Sequence, residues 1–395
     1  MQSSSIAMRR PLKRIAAGLG GAATFSMLIG LGAMQAGCTS SALHSARQHY
    51  YAGESEKAIE ALDTGEIRGN DAILALMERG MIRQTAGDYT GSVANWQQAA
   101  DEIKATDYIR VSEKATSLVI NDYTETYRAK PYERTLLHVF TAKSYFAIGQ
   151  WREAAVEARL VVDGLVNLDG YPDDPYARYV AGLAFELIRD DNGARLEYTQ
   201  ADELTPTLNI NPQTGAIAPS NAPLATATNE LICLLSIGQA SPPYSGDYVR
   251  SRYNRWGTQP YADIIHDGTW LGRSYTLNTT DTLSRLTADR LAAIKAVKTV
   301  SRIAIKWTIA DAVSENNPVL GELLRFLLLV IEVPDERYWA TLPEWLQVAR
   351  VPCPPDMQAF DLVFRNASGG ILKRQTVSAP YHETDGKIIV ILRTW

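Results

Sequence analysis

The chain has 395 residues, an apolar content of 46% and a formal net charge of −5. This apolar content is enough for real hydrophobic cores, and the length is typical of about two domains. The acidic balance, with no basic run beyond the first 14 residues, argues against nucleic acid as a partner, because phosphate binding requires clustered Lys and Arg.

The first predicted element is an export signal at the N-terminus. Basic residues precede an uncharged, apolar-rich stretch over residues 15–34, and Ala36 and Gly37 come directly before Cys38. The basic residues are Arg9, Arg10, Lys13 and Arg14. This order is typical of a bacterial lipoprotein signal, in which the cysteine becomes the lipid-bearing N-terminus. An uncleaved membrane anchor and an ordinary secretory signal are the alternatives.

Several expectations follow for the mature chain. Removal of residues 1–37 takes away four positive charges and no acids, which lowers the net charge from −5 to −9. The lipid on Cys38 is then the membrane contact and the only predicted attached group, with no other cofactor. The residue after Cys38 is Thr39 and not Asp. This favours sorting of the lipoprotein to the outer membrane of a Gram-negative cell, where it faces the periplasm.

The next region repeats a pattern of small and large residues that is typical of antiparallel helix pairs. One copy has Gly182, Ala194, Tyr198, Ala201 and Pro206. The predicted turns of four such copies fall at residues 53, 87, 149 and 189. The pattern resembles tetratricopeptide repeats, in which small residues are required where the two helices cross closely. The resemblance implies an α-solenoid.

The composition and periodicity of the remaining chain change twice. We expect a mainly α protein in which the solenoid is followed by a helical pair and a small antiparallel β-domain. The predicted divisions are a signal peptide over 1–37, repeats over 38–206, an irregular loop-rich segment with one helix over 207–282, the helical pair over 283–334 and the β-domain over 335–395. The single helix is predicted over 224–237. The strands are predicted over 359–365, 371–377 and 387–393, with a further candidate over 346–351.

Some stretches resemble a family of bacterial envelope lipoproteins that has repeats in its N-terminal half and no assigned activity. The resembling stretches are residues 132–145, 155–159, 301–306 and 337–343. The resemblance implies an envelope lipoprotein and supplies no reaction.

The predicted binding site is the concave groove of the repeats. In the resembling fold the first helix of each pair lines this groove, which here is apolar and suits an amphipathic helix or extended peptide of an envelope protein. The predicted partner-binding residues are Met77, Met81, Gln84, Val139, Lys143, Phe146, Tyr176, Tyr179, Leu183 and Glu186. Alternatively, the chain's own helices between residues 283 and 333 fill the groove. The sequence therefore predicts a lipid-anchored periplasmic scaffold or adaptor.

Catalytic and metal sites are not predicted, so we expect a protein that is not an enzyme. Glu133, His138 and Glu157 lie in one repeat and are candidates for an acid–base set, but no other site feature converges on them, which favours a role in helix packing. Three basic residues have two interpretations, because they either bind an anion or pair with local carboxylates. They are Arg302, Lys306 and Arg337.

Two further patterns leave alternatives open. In an oxidising compartment Cys233 and Cys353 either form a disulfide or remain two buried thiols. The loop-rich segment is rich in aromatic residues, which favours either a glycan-binding lipoprotein or simple packing of this segment onto the repeats. The aromatic residues are Tyr248, Tyr253, Trp256, Tyr261, Trp270 and Tyr275.

Overall fold

The computed structural model describes residues 41–64, 69–113, 126–166, 172–217, 229–243, 256–290 and 337–395. The signal peptide, Cys38 and most of the predicted helical pair lie outside these residues. So do Arg302, Lys306, Tyr248 and Tyr253.

The described residues before 205 form α-helices that run in consecutive antiparallel pairs. The helices are α1 (Ser41–Tyr51), α2 (Ser55–Thr64), α3 (Ala72–Thr85), α4 (Tyr89–Glu113), α5 (Pro131–Ala147), α6 (Trp151–Val166), α7 (Pro175–Leu187) and α8 (Asp191–Leu204). Short 3₁₀ turns cover Gly69–Asp71 and Pro206–Leu208, and residues 280–290 are also helical. We call the region from α1 to α8 the helical array.

The turns within the pairs lie where the sequence predicts them. The backbone is left-handed at Gly53, Gly87 and Gly149, with φ of 82°, 85° and 70°, and Arg189 at the fourth turn has φ of 62°. Glycine is the usual residue at such positions because it lacks a Cβ. A Cβ on Gly182 of α7 would lie 2.8 Å from the Tyr198 ring of α8, so the helices cross closely there.

Two sheets follow the array. The strands are β1 (Asn229–Ile237), β2 (Tyr261–His266), β3 (Thr269–Arg273), β4 (Tyr275–Thr279), β5 (Trp345–Cys353), β6 (Ala359–Arg365), β7 (Ile371–Ser378), β8 (His382–Thr384) and β9 (Lys387–Thr394). The central sheet has the order β4-β5-β1-β9-β8, and the outer sheet has the order β3-β2-β6-β7.

The central sheet is covered on both faces. Ile232 and Leu234 of β1 belong to the hydrophobic core shared with the helices. Leu231, Cys233 and Leu235 alternate with them and belong to a second core shared with the outer sheet. The described residues therefore form three layers, helical array, central sheet and outer sheet.

Three expectations about these regions are wrong. The helix predicted over 224–237 is wrong for residues 229–237, which form strand β1, because a strand buried on both faces has no polar alternation to distinguish it from a buried helix. The loop-rich segment over 207–282 supplies strands β1 to β4, so the β-region is not confined to 335–395. It is also not purely antiparallel, because β1 and β9 pair in parallel.

Candidate partner-binding groove and outer sheet

The predicted groove is closed by the chain itself. Helices α5 and α7 contact strands β9 and β4 of the central sheet. All the predicted partner-binding residues are buried except Glu186, which is half-buried. They are Met77, Met81, Gln84, Val139, Lys143, Phe146, Tyr176, Tyr179, Leu183 and Glu186. The structure thus contradicts an open groove, because a sheet face needs the same apolar residues that a partner would need.

Residues 337–342, which we call the groove segment, lie in the groove without forming a helix or strand. Two buried glutamates accept hydrogen bonds from its backbone. Glu133 Oε1 accepts from the amide of Trp339 at 3.0 Å. Glu78 accepts from the amides of Ala340 and Thr341 at 2.9 and 3.2 Å. These acceptors satisfy amide groups that would otherwise be buried without partners.

The backbone carbonyls of the groove segment are bound by donors from the array. Arg47 Nη2 donates to the Tyr338 carbonyl at 2.9 Å, and the Tyr51 hydroxyl donates to the Ala340 carbonyl at 2.7 Å. Lys130 Nζ donates to the carbonyl of Arg337. Arg47 also pairs with Glu78, Nη2 to Oε1, at 2.7 Å, so donors and acceptors for the segment form one network.

The side chains of the groove segment also make specific contacts. Trp339 is fully buried, with its ring 6.1 Å from that of Trp96 and 6.0 Å from that of Phe140, both in edge-on geometry. Arg337 Nη1 donates to Asp71 Oδ1 at 2.9 Å. The pairing interpretation of Arg337 is therefore confirmed, since its partner is a carboxylate of the same chain.

Lys143 has a buried amine between the array and the central sheet. Its Nζ donates to Ser236 Oγ of β1 at 2.7 Å and lies 4.7 Å from the Phe140 ring centroid. Among the residues that the structure describes, no carboxylate pairs with it. Burial, with a smaller contribution from the nearby Arg393 guanidinium, holds the pKa of Lys143 well below its usual value.

Glu186 belongs to a second polar cluster at the same interface. Its carboxylate pairs with Arg350 of β5, with Nη2 to Oε1 at 2.7 Å, and accepts from the Tyr198 hydroxyl at 2.6 Å. Arg350 also pairs with Glu230 of β1 at 2.6 Å. Burial raises the pKa of Glu186, but the hydrogen bond and charge of Arg350 outweigh it, so the pKa lies below its usual value.

The suggested acid–base set does not form a single site. Glu133 binds the groove segment, whereas His138 Nδ1 and Glu157 Oε2 lie 2.7 Å apart between α5 and α6. The packing interpretation of these residues is confirmed. Within the described part of the chain, no group of His, Cys, Asp and Glu has the arrangement of a metal site.

Of the two alternatives for the cysteines, the structure has the two buried thiols and no disulfide. Cys233 and Cys353 are both free and buried. Strand pairing places Cys233 opposite Ala349 and Cys353 opposite Asn229. The two cysteines are thus offset by four residues along adjacent strands, about 13 Å, and a disulfide requires Cα atoms within about 7 Å. Burial raises the pKa of both thiols, that of Cys353 to about 12.

The aromatic set predicted for glycan binding does not form a single exposed platform. Trp256 is buried, with its ring 5.5 Å from that of Phe364 in the core between the sheets. Tyr261 and Tyr275 are half-buried. Trp270 on β3 is 43% exposed and is the most exposed ring of this set among the described residues.

Trp270 belongs to an ordered surface on the outer sheet. Asp263, buried on β2, accepts from Trp270 Nε1 at 3.0 Å and from Arg365 Nε at 2.6 Å. The Arg273 guanidinium lies 4.6 Å from the Tyr261 ring centroid and 5.8 Å from that of Trp270. This surface, which we call the outer-sheet surface, also includes the exposed Ile371, Leu372 and Arg374 of β7.

The sequence contains only weak signals for these arrangements. Glu133 and residues 337–342 both lie in stretches that resemble the lipoprotein family, but nothing in the sequence indicates that they contact each other. Glu78 lies outside those stretches. No described helix combines the length and the apolar character needed to cross a bilayer.

Comparisons with known proteins give little beyond this. No protein-family profile matches the chain, and no curated protein matches it. One similar solved structure is "MamA 41-end from Desulfovibrio magneticus RS-1", with 14% identity over 42% of this chain and 74% of that chain and a TM-score of 0.29. Another is "MamA MSR-1 C2", with 12% identity over 42% of this chain and 95% of that chain and a TM-score of 0.19. These TM-scores are too low to support a conclusion.

Proposed function

We propose that this chain is a non-catalytic scaffold of the bacterial cell envelope that binds a protein partner. In this proposal the helix pairs are tetratricopeptide-like repeats, and a lipid on Cys38 holds the protein at the periplasmic face of the outer membrane. The basic residues, apolar stretch and small residues before Cys38 support the anchor.

The observation that carries the proposal is that residues of the chain itself occupy the groove. The carboxylates of Glu78 and Glu133 bind the chain's own backbone, and Arg350 fixes α7 to the central sheet. A partner that binds this conformation must therefore use an outward surface.

The outer-sheet surface has the composition of such a site. Trp, Tyr and Arg are enriched among residues that dominate protein–protein binding energy. Trp270, Tyr261 and Arg273 lie together, and Trp270 is fixed by its bond to Asp263. A fixed aromatic ring loses little conformational entropy on binding.

Photo-crosslinking in cells tests the partner site. A photoreactive residue at position 270 or 372 should capture one dominant envelope protein. A matched control at the exposed Leu160 of α6 should not capture that protein, and one at the buried Tyr179 should give only intramolecular products. Equal capture from positions 270 and 160 would contradict the proposal.

The anchor is tested separately. Cys38→Ala should abolish labelling by a palmitate analogue and release the protein from the membrane fraction. Undiminished labelling would show that the lipid is attached elsewhere or that the signal is of another kind.

Glycan binding is a second candidate, supported only by the exposed ring of Trp270 beside Arg273. Aromatic faces stack on sugar rings, and a guanidinium can bind sugar hydroxyls or carboxylates. Co-sedimentation with purified peptidoglycan that is lost in Trp270→Ala would favour this candidate over a protein partner.

A further inference from the structure

The way in which the groove segment is held differs from ordinary loop packing. About two-thirds of the hydrogen bonds in folded proteins join one backbone group to another. Here the amides of residues 339–341 pair with side-chain carboxylates, and the carbonyls of residues 337, 338 and 340 pair with side-chain donors of the array. Such contacts recognise the backbone of this turn, in which the amide of Leu342 also donates to the Trp339 carbonyl at 3.4 Å, irrespective of its side chains.

The specific part of the recognition is a pocket for one indole ring. Trp96 and Phe140 line it, and the Trp339 indole donates to Thr341 Oγ1 at 3.0 Å. Gly80 lets Trp96 lie against α3, since a Cβ there would be 2.2 Å from the indole nitrogen of Trp96. The pocket wall therefore depends on a residue without a side chain.

The residues around Trp339 set further requirements. Ala340 and Thr341 are almost fully buried beside Glu78, so larger side chains would have no room. Arg337 pairs with Asp71, two residues before the indole. The Tyr338 ring between them lies 5.6 Å from the Arg47 guanidinium. A fitting segment thus has a guanidinium, an aromatic ring, an indole and two small residues.

We infer that the groove is a peptide-binding site with residues 337–342 as its resident ligand, and that it also accepts a partner segment that has the same chemistry and forms the same turn. This inference adds to the proposed scaffold function a second, conditional site. Because the resident is covalently attached, its effective concentration is on the order of millimolar. An external segment therefore binds measurably only when the resident is weakened.

The test uses a labelled synthetic peptide with the sequence of residues 335–344 and the full-length protein. Trp339→Ala weakens the resident and empties the indole pocket. We expect saturable binding of the peptide to this variant, at least 10-fold tighter than to the wild type. A peptide with Ala in place of the indole residue should bind at least 10-fold more weakly.

A second change checks that the peptide occupies the groove. Glu78→Gln added to Trp339→Ala should weaken peptide binding about 10-fold, because it replaces charge-assisted hydrogen bonds by weaker ones. Glu157→Gln is the matched control, since its carboxylate faces His138 and does not contact the segment. It should leave peptide affinity unchanged. If Trp339→Ala does not fold, Trp339→Leu, which keeps an apolar side chain, replaces it.

The inference is overturned if a variant with unchanged circular dichroism and cooperative melting binds no peptide. It is also overturned if the peptides with and without the indole bind equally. Crosslinking from the outer-sheet surface does not depend on this outcome, so failure of the groove site and failure of the scaffold proposal are distinguishable.

Discussion

The two faces of the central sheet are built in different ways. The face toward the outer sheet is apolar, with Leu231, Cys233 and Leu235 of β1 in its core, except for the uncharged Gln347 of β5, which accepts a hydrogen bond from Ser274. The interface with the helical array mixes apolar residues with buried polar ones, among them Arg350 of β5 and Lys143 of α5. Both faces belong to the same strands, so the difference lies in what packs against them.

This difference indicates different roles for the two interfaces. Apolar burial stabilises by about 25 cal/mol per Å² and is non-directional. Buried ion pairs gain little net stability, because desolvation offsets the attraction, but they destabilise arrangements that leave a charge unpaired. We therefore expect the polar interface to fix the orientation of the array and to make stability depend on pH.

The largest effect is expected from breaking the Arg350 cluster. Arg350→Met leaves Glu186 and Glu230 without their shared cation and should lower the free energy of unfolding by about 3–5 kcal/mol. Arg374→Met is the control, because its partner Asp361 lies on the exposed face, and it should cost less than about 1 kcal/mol. Urea denaturation measures both, and equal costs would remove the distinction between the faces.

Asp174, at the start of α7, should contribute a pH dependence. Burial, only partly offset by the hydrogen bond from Asn278 of β4, raises its pKa from 3.8 to about 6. The folded protein thus keeps this proton at pH values where the unfolded chain has lost it, so stability falls as pH rises from about 4 to 6. The linked free energy is up to about 3 kcal/mol.

Asp174→Asn should remove that dependence and keep the helix cap, since Asn also caps well. Asp190→Asn is the matched control, because Asp190 caps α8 in an exposed position. Urea denaturation at pH 4, 5, 6 and 7 compares the variants. Parallel stability profiles for wild type and Asp174→Asn would show that Asp174 does not contribute.

Lys143→Met should have the opposite sign, a gain of about 2 kcal/mol at neutral pH, because it removes a buried amine that has no carboxylate partner among the described residues. Between the lowered pKa of Lys143 in the folded state and a pH of about 10.5, the folded state binds fewer protons than the unfolded chain. Wild-type stability therefore falls as pH decreases from that value, and the variant should lack this slope.

The exposed Lys104→Met serves as the control for Lys143→Met and should change neither stability nor its pH profile by more than about 0.5 kcal/mol. A Lys143→Met protein that is less stable than the wild type at every pH would instead show that the contact with Ser236 stabilises the interface.

The smallest effect is expected from the apolar face. Ile264→Val removes one methylene group from the core between the sheets and should cost about 1 kcal/mol. Because no titratable group is involved, this cost should be the same at pH 5 and pH 8. A clear pH dependence would contradict the assignment of charge sensitivity to the helix-facing side alone.

Much of the helical half follows from the sequence because its determinants are local. A left-handed turn at Gly53, Gly87 and Gly149 and a close crossing at Gly182 both leave a glycine at a fixed offset. Strand β6 is equally predictable from the sequence, since Phe360, Leu362 and Phe364 alternate with neighbours on the other face. Each of these patterns involves residues within about one repeat or one strand.

What covers the groove is not predictable from local sequence patterns. The offsets of Met77, Phe146 and Tyr179 correctly indicate a row of apolar side chains, but an apolar row looks the same whether a partner or the chain's own sheet covers it. Similarly, β1 lacks alternation because both of its faces are buried. The register that separates Cys233 from Cys353 depends on the pairing of β1 with β5, which no local spacing encodes.

By itself the sequence determined the helix pairs, their turns and the strands that have one polar face, because periodicity and turn chemistry act over a few residues. Only the tertiary structure decided that Glu78 and Glu133 hold residues 339–341, that the groove closes on the central sheet, and that Trp270 remains outside. These outcomes depend on contacts between residues as much as 263 positions apart, and the physical reason is that such contacts are selected by shape and polar satisfaction in three dimensions.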